Sequence, residues 1–468
     1  MCRGQTDRGA TVAGRRGSIV TTVVLSALLL MVLPPSAALA ASPLWAVLYN
    51  GPAGAESQLA QAVAVAPDGA IYVAGTATNA FGKPDVVPWL VKYASDGAQA
   101  WAVCPSDVVK HGQFVGVTVT PGGDVLAWGA TGRYKADLLL VRYRPDGTRR
   151  WVARIKSGVD AGSLPADVAV DAHGDIYVAG MIGNRTTCDG ILAKLSPSGR
   201  LLWRRSIAGD PDQYDGLTAV AVGRRGNVYA CGYITRHRGS RWLVLSYSSA
   251  GSRRWMRAGT SLAGGASDLT IAPSGVIYAC GASVDSRRFA LLRAYRSDGK
   301  LLFGRRIYGG QADLGAEFLF VKFDAEGHVV CAGDTNTRYA WGDYASDFLT
   351  AEYDTQGSLV FRDVWSGASG REDWVYGLEC ASDGSVFVCG ESMGSESCSL
   401  VVVPYGSAGV RGEPMFNGTG SAFDEDSRAS AMSAAGPVVV GSQEFATDGH
   451  IHALTVQFPS PTVGSPPQ

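Results

Sequence analysis

The chain is 468 residues long, 46% hydrophobic and 18% charged, with 60 glycines and a formal net charge of -1. So even a balance excludes the basic excess of a nucleic-acid binder, and no nucleic-acid partner is expected. Length alone allows more than one ordinary domain and is only a soft guide.

The first segment reads as a targeting signal. Arg3, Arg8, Arg15 and Arg16 precede an apolar stretch from Ile19 to Leu33, Pro34 and Pro35 break it, and Ala38-Leu39-Ala40 is a small-residue cleavage pattern. Residues 1–40 are therefore expected to be removed, leaving a secreted or cell-surface chain that starts near Ala41. The apolar stretch falls short of the ~20 residues a spanning helix needs, and no later stretch qualifies, so no membrane span is expected after cleavage. Cys2 leaves with the signal, and the remaining cysteines permit disulfides in an exported chain. Their placement favours packing: Cys231, Cys280 and Cys389 fill one repeat slot that holds Ala74 in the first copy, the place of a small core hydrophobe. Cys188 and Cys398 lie in loops before equivalent strands and are the more open to pairing.

From Leu44 onward the chain repeats. Aromatics return at Trp45, Trp101, Trp151, Trp203, Trp255, Phe303 and Phe361, at a period of roughly fifty residues. Between them come an alternating apolar run (Ala60, Ala166), a strand ending in Gly (Ile71, Ile176, Val228, Ile277) and an apolar segment ending in Tyr (Leu90, Leu140). Asp68-Gly69 and Asp383-Gly384 close first hairpins; Asp96-Gly97, Asp146-Gly147 and Asp298-Gly299 close second ones. Such pairs supply the positive φ that tight turns demand. Each repeat is thus four antiparallel strands, named A to D, with the aromatic on D. A four-stranded sheet cannot cover both its faces, and radial repetition solves this. The predicted fold is all-β: an eight-bladed β-propeller of four-stranded antiparallel blades spanning 41–458, with a Pro-rich disordered tail at 459–468. The chain opens on a D strand and ends on a C strand, so the N-terminal strand is expected to complete the last blade and seal the ring.

The segments Val63 to Ala77 and Val168 to Gly180, with the closes Asp85 to Trp101 and Asp137 to Trp151, resemble the bacterial SBBP-type β-propeller repeats. The resemblance covers about Leu44 to Phe458 and implies an extracytoplasmic binding or surface role, with no catalytic residues to carry over. The family name refers to seven blades, whereas this sequence shows eight. The run Asp146 to Trp151 is also similar to the docking motif of the quinoprotein dehydrogenases, which are eight-bladed and exported. Their adjacent cysteine pair is absent here, so each Trp reads as inter-blade packing.

Tight A–B and C–D turns share one face; the longer D–A and B–C connections share the other, which is the expected binding face. The sixth B–C loop gathers Arg338, Tyr339, Trp341, Asp343 and Tyr344. Aromatics beside carboxylates suit a sugar or peptide, the alternative being a loop folded on its own rings. Arg236, His237, Arg238, Arg241, Arg287 and Arg288 offer anion contacts or merely a solvated face. The D–A loops carry Asp210, Asp212, Asp215, Glu372 and Asp373, with the densest cluster at Asp424, Glu425 and Asp426. Clustered carboxylates can hold Ca²⁺, making Asp424 and Asp426 the candidate ligands; no other cofactor is expected. His450 and His452 share a strand face but lack identified co-ligands, and Ser392 in a G-x-S-x-G match lacks the strand–turn–helix setting of a nucleophile elbow. The expected function is a secreted, non-catalytic protein binding a carbohydrate, peptide or protein partner, with no catalytic residues; Tyr339, Trp341, Asp343, Tyr344, Arg236 and Arg238 are the expected contacts. The alternative is an exported hydrolase, lyase or quinoprotein-like enzyme at the acidic channel mouth.

Overall fold

The computed structural model describes residues 42–460 apart from 52–56, 79–85, 133–135, 158–162, 184–186, 238, 261–262, 310–314, 339–343, 395–396, 408, 418–424 and 445–450. The expected signal and most of the tail lie outside the described residues. Every regular element among those described is a strand, and no helix there is long and apolar enough to cross a membrane.

Sets of four strands cover 57–103, 112–155, 163–207, 216–258, 264–308, 316–365 and 373–416. Residues 425–457 supply three more strands, and the N-terminal strand Trp45–Tyr49 joins them. It runs antiparallel to Ile451–Gln457, with Trp45 opposite Gln457 and Tyr49 opposite Ala453. Within each separate sheet the hydrogen-bonded order is A-B-C-D. Eight separate sheets were expected, but hydrogen bonding resolves seven, because the last set and the first merge into one eight-stranded sheet. The merger rests on a single parallel pair, Ser57 and Ile451, where the first A strand starts alongside the last C strand.

Burial explains why these segments are strands. The B strand Ile71–Thr78 is buried at all but its last residue, since neighbouring sheets cover both its faces. The D strand Leu201–Ile207 has covered and open positions in turn, as an outer strand with one packed face should. Every A strand carries a bulge near its middle, for example between Ala60 and Ala62. Each A strand contacts the next along the chain, and Glu425–Ser433 contacts Ser57–Val65. Apolar clusters fill the spaces between successive sheets: Tyr72 and Leu90 pack with Phe114 and Tyr143, and Val438 and Val440 pack with Val73 and Trp89.

The repeated aromatics clamp these layers, as their spacing implied. The indole N–H of Trp101 donates to the Pro145 carbonyl at 3.0 Å, Trp151 to Pro197 at 3.0 Å and Trp203 to Ser249 at 2.9 Å. Each ring lies on the turn glycine of the following repeat. A Cβ on Gly147 would meet Trp101 at 3.1 Å, and one on Gly199 would meet Trp151 at 2.9 Å. Trp45 extends the pattern to the N-terminal strand, donating to Ser95 at 3.1 Å and covering Gly97. Cys231, Cys280 and Cys389 are free thiols, buried as small core side chains.

Candidate functional site

The end of the sheets that carries the B–C and D–A connections holds a groove. One cavity of about 350 Å³ is lined by Arg288, Glu317, Asp334, Ser346, Glu372 and Trp374. A second, of about 360 Å³, continues past Arg288 and Glu317 to Tyr233, Ser240 and Ser267. These side chains come from strand ends in four successive repeats. Tyr233 lies late in Val228–Arg236, Arg288 opens Arg288–Tyr295, and Glu317 is second in Ala316–Phe323. Asp334 follows Gly333 within the longer sixth B strand Val329–Arg338, and Trp374 is second in Asp373–Cys380. Rigid strand ends thus hold the groove, with the loops added above them.

Its electrostatics centre on three groups. Arg288 forms an ion pair with Glu317 across the junction of the two cavities. Asp334 accepts the Val375 N–H at 3.1 Å. Burial pushes the Asp334 carboxyl up to about 7; Glu317 adds to the rise, while the Val375 N–H and Arg288 oppose it. Near neutral pH this carboxyl therefore spends time both with and without its proton, the condition for acid–base work. Trp374 and Tyr233 flank the charged centre with aromatic surface.

Of the residues expected to make contacts, Tyr339, Trp341, Asp343 and Arg238 lie outside the described residues. Tyr344 opens the strand Tyr344–Tyr353, whose next two residues, Ala345 and Ser346, line the groove. Arg236 is exposed at the end of its strand and does not line the groove. Arg287 lies over the Tyr308 ring at 5.2 Å, leaving Arg288 as the cation of that series in the groove.

The acidic D–A loops divide into clips and groove residues. Asp215 accepts the N–H groups of Gly209 at 2.5 Å and Thr235 at 2.6 Å, and burial raises its carboxyl. Asp373 accepts the Gly367 N–H at 2.6 Å, and burial pushes it up to about 6. Asp210 accepts the His237 N–H at 2.5 Å. These carboxylates tie down backbone rather than face a ligand; Glu372 is the member of the series that reaches the groove. Ser392 is buried beside Asp373, so the G-x-S-x-G serine is part of that clip. Of the expected Ca²⁺ ligands, Asp424 lies outside the described residues and Asp426 sits within Glu425–Ser433, opposite Ser442.

Asp334, Glu317, Trp374 and Tyr233 were not singled out in the sequence. One signal was available: the slot after the B-strand glycine holds Thr76, Ala130, Met181, Tyr233, Ala282 and Ser442 in six repeats, and Asp334 and Glu391 put a carboxyl there in the other two, each accepting a backbone N–H of the next A strand.

No family model and no curated protein matches the chain, so the SBBP resemblance stands no further than the fold. Among solved structures, Sqt1 from Chaetomium thermophilum is similar at 10% identity and TM-score 0.52, over 89% of this chain and 100% of that one. A PL25 ulvan lyase is similar at 10% identity and TM-score 0.47, over 86% and 94% of the two chains. The β-propeller domain of the trilobed protease from Pyrococcus furiosus gives 9% identity and TM-score 0.41, again over 86% and 94%. The expectation that the chain is not an enzyme is corrected here: solved structures of similar fold include polysaccharide lyases, so this architecture gives no ground for denying an activity. At these identities the likeness speaks to fold alone, and the fold is a β-propeller.

Proposed function

We propose that this chain is an exported carbohydrate-active propeller, a closed ring of eight blades whose groove binds a polysaccharide and hydrolyses a glycosidic bond. The ring reading is supported by the continuous series of A-strand contacts and by Trp45 docking on the first repeat. The observation that carries the activity is Asp334, a groove carboxyl held near a pKa of 7 among other carboxylates. In its protonated form it donates to the departing glycosidic oxygen, while Glu317 or Glu372 takes the proton of the attacking water. Trp374 and Tyr233 give sugar rings apolar faces to lie on, and Arg288 suits a uronate carboxylate or a sulfate ester.

The test is release of reducing ends from neutral, uronate-containing and sulfated polysaccharides by the purified mature protein. Asp334→Asn should lower the rate by roughly 100-fold or more. Activity should fall as pH rises through about 7, because the donor loses its proton there. An unsaturated uronate product, seen by its ultraviolet absorbance, would replace hydrolysis with elimination. Full activity in Asp334→Asn, or no cleavage across the panel, would overturn the proposal.

A further inference from the structure

On the face of the tight turns, the sixth repeat departs from its neighbours. In the second repeat the residue that ends the A–B turn is Asp124, paired with the C-strand Arg142 at 2.8 Å. In the third it is Asp175, paired with Lys194 at 2.7 Å. In the sixth the polarity is inverted: His328 ends the turn and Glu352 stands on the C strand, with Nδ1 and Oε1 2.6 Å apart. An inverted ion pair would need only those two residues, but two more carboxylates converge on the same nitrogen. Asp324 Oδ2 is 3.7 Å and Glu326 Oε2 is 3.8 Å from His328 Nδ1. Ligand atoms of Asp324, Glu326 and His328 all lie within 4.8 Å of one another.

Two features separate this group from an ordinary surface cluster. The Asp324 and Glu352 side chains are only 2% and 1% exposed, so their charge is poorly solvated. Asp324 Oδ1 accepts the N–H groups of Glu326 and His328, whereas its Oδ2 lies 3.7 Å from His328 Nδ1, beyond hydrogen-bond reach of that nitrogen. Among the described residues no lysine or arginine pairs with any of the three carboxylates. One imidazole cannot balance them, and buried unpaired carboxylates are costly.

We propose that Asp324, Glu326, His328 and Glu352 form a divalent-cation site on the turn face, remote from the groove and independent of its proposed activity. Three oxygens and one imidazole nitrogen suit Zn²⁺, whereas Ca²⁺ prefers an all-oxygen shell. On binding, His328 Nδ1 gives up its proton to solvent and donates its lone pair to the metal, the ring proton remaining on Nε2. Asp324 and Glu326 come from one tight turn and Glu352 from the adjacent strand, so the ion would pin the turn to the sheet.

Chelator-treated mature protein titrated with Zn²⁺ by calorimetry should show a site of unit stoichiometry, with proton release. Glu326 is about half exposed, so Glu326→Gln should fold normally and bind Zn²⁺ at least tenfold more weakly. His328→Ala should abolish the site, and the thermal stabilisation by Zn²⁺ should vanish with it. Far-ultraviolet circular dichroism of both variants without metal checks their folding. No Zn²⁺ uptake by the folded wild type would overturn the proposal, as would uptake unchanged in both variants, or Ca²⁺ binding unaffected by His328→Ala.

Discussion

The docking of each D-strand aromatic on the next repeat's turn can be isolated with two glycines of the fifth repeat. Gly275 in the A–B turn and Gly299 in the C–D turn have the same φ of +84°. A Cβ on Gly275 would meet nothing within 4 Å, whereas one on Gly299 would lie 2.6 Å from the Trp255 ring. Gly275→Ala therefore carries only the cost of a left-handed alanine, roughly 1–2 kcal/mol. Gly299→Ala carries the same cost and must also push the indole back toward ordinary contact, about 1 Å away. Trp255 is only 7% exposed and donates to the Ser297 carbonyl at 2.9 Å, so that movement disturbs a packed, hydrogen-bonded ring. Overpacking of this kind costs about 1–3 kcal/mol more. Urea unfolding of the two variants, compared at similar m-values, should place Gly299→Ala lower by that difference. In a Trp255→Ala background the excess should disappear, since the clash has lost its partner. Equal losses for the two glycines, or an excess that survives removal of Trp255, would refute the docking argument.

Other consequences follow from single side chains. Asp215→Ala strips two backbone N–H groups, one in a loop and one on a strand, of their acceptor and should cost roughly 2–4 kcal/mol in urea unfolding; a loss under ~0.5 kcal/mol would mean that water replaces the clip. Asp373 is pushed up to about 6, above its unfolded value, so its stabilising contribution is complete below about pH 4 and is lost as pH rises through 6. Its share of the stability profile should therefore fall over that interval, and Asp373→Asn should flatten that stretch; an identical slope in the variant would contradict the assignment. Removing residues 42–50 leaves Ile451–Gln457 without its outer neighbour and should convert monomer to aggregate in size-exclusion chromatography; a stable monomer would show that the N-terminal strand is dispensable. Thiol titration of the unfolded protein without reductant should find the buried Cys231, Cys280, Cys331 and Cys389 as thiols, and a count below four would reveal a bridge among them.

The architecture was legible because its instructions are local and recur. Alternating apolar runs, turn glycines and one aromatic per repeat specify a four-stranded sheet, and the unmatched D strand at Leu44 specifies its partner at the other terminus. The single pair that merges two sheets was not legible, since it depends on how closely Ser57 approaches Ile451. The acidic loops were misjudged for a physical reason. A carboxylate that caps backbone N–H groups and one that faces a ligand look alike in sequence, and only the path of the loop separates Asp215 from Glu372. What the repeat does offer is a background against which a change of charge stands out. Asp334 and, in the next repeat, Glu391 occupy a slot held elsewhere by Thr76, Ala130, Met181, Tyr233, Ala282 and Ser442, and Glu352 with His328 reverses a pairing that Arg142 and Lys194 make in the usual sense. A packing role does not require a carboxyl in either slot, because the same strands form with small or cationic residues there. The sixth repeat carries a departure at each end of its sheet, Asp334 at one and His328 with Glu352 at the other, and both proposals made for this chain rest on it.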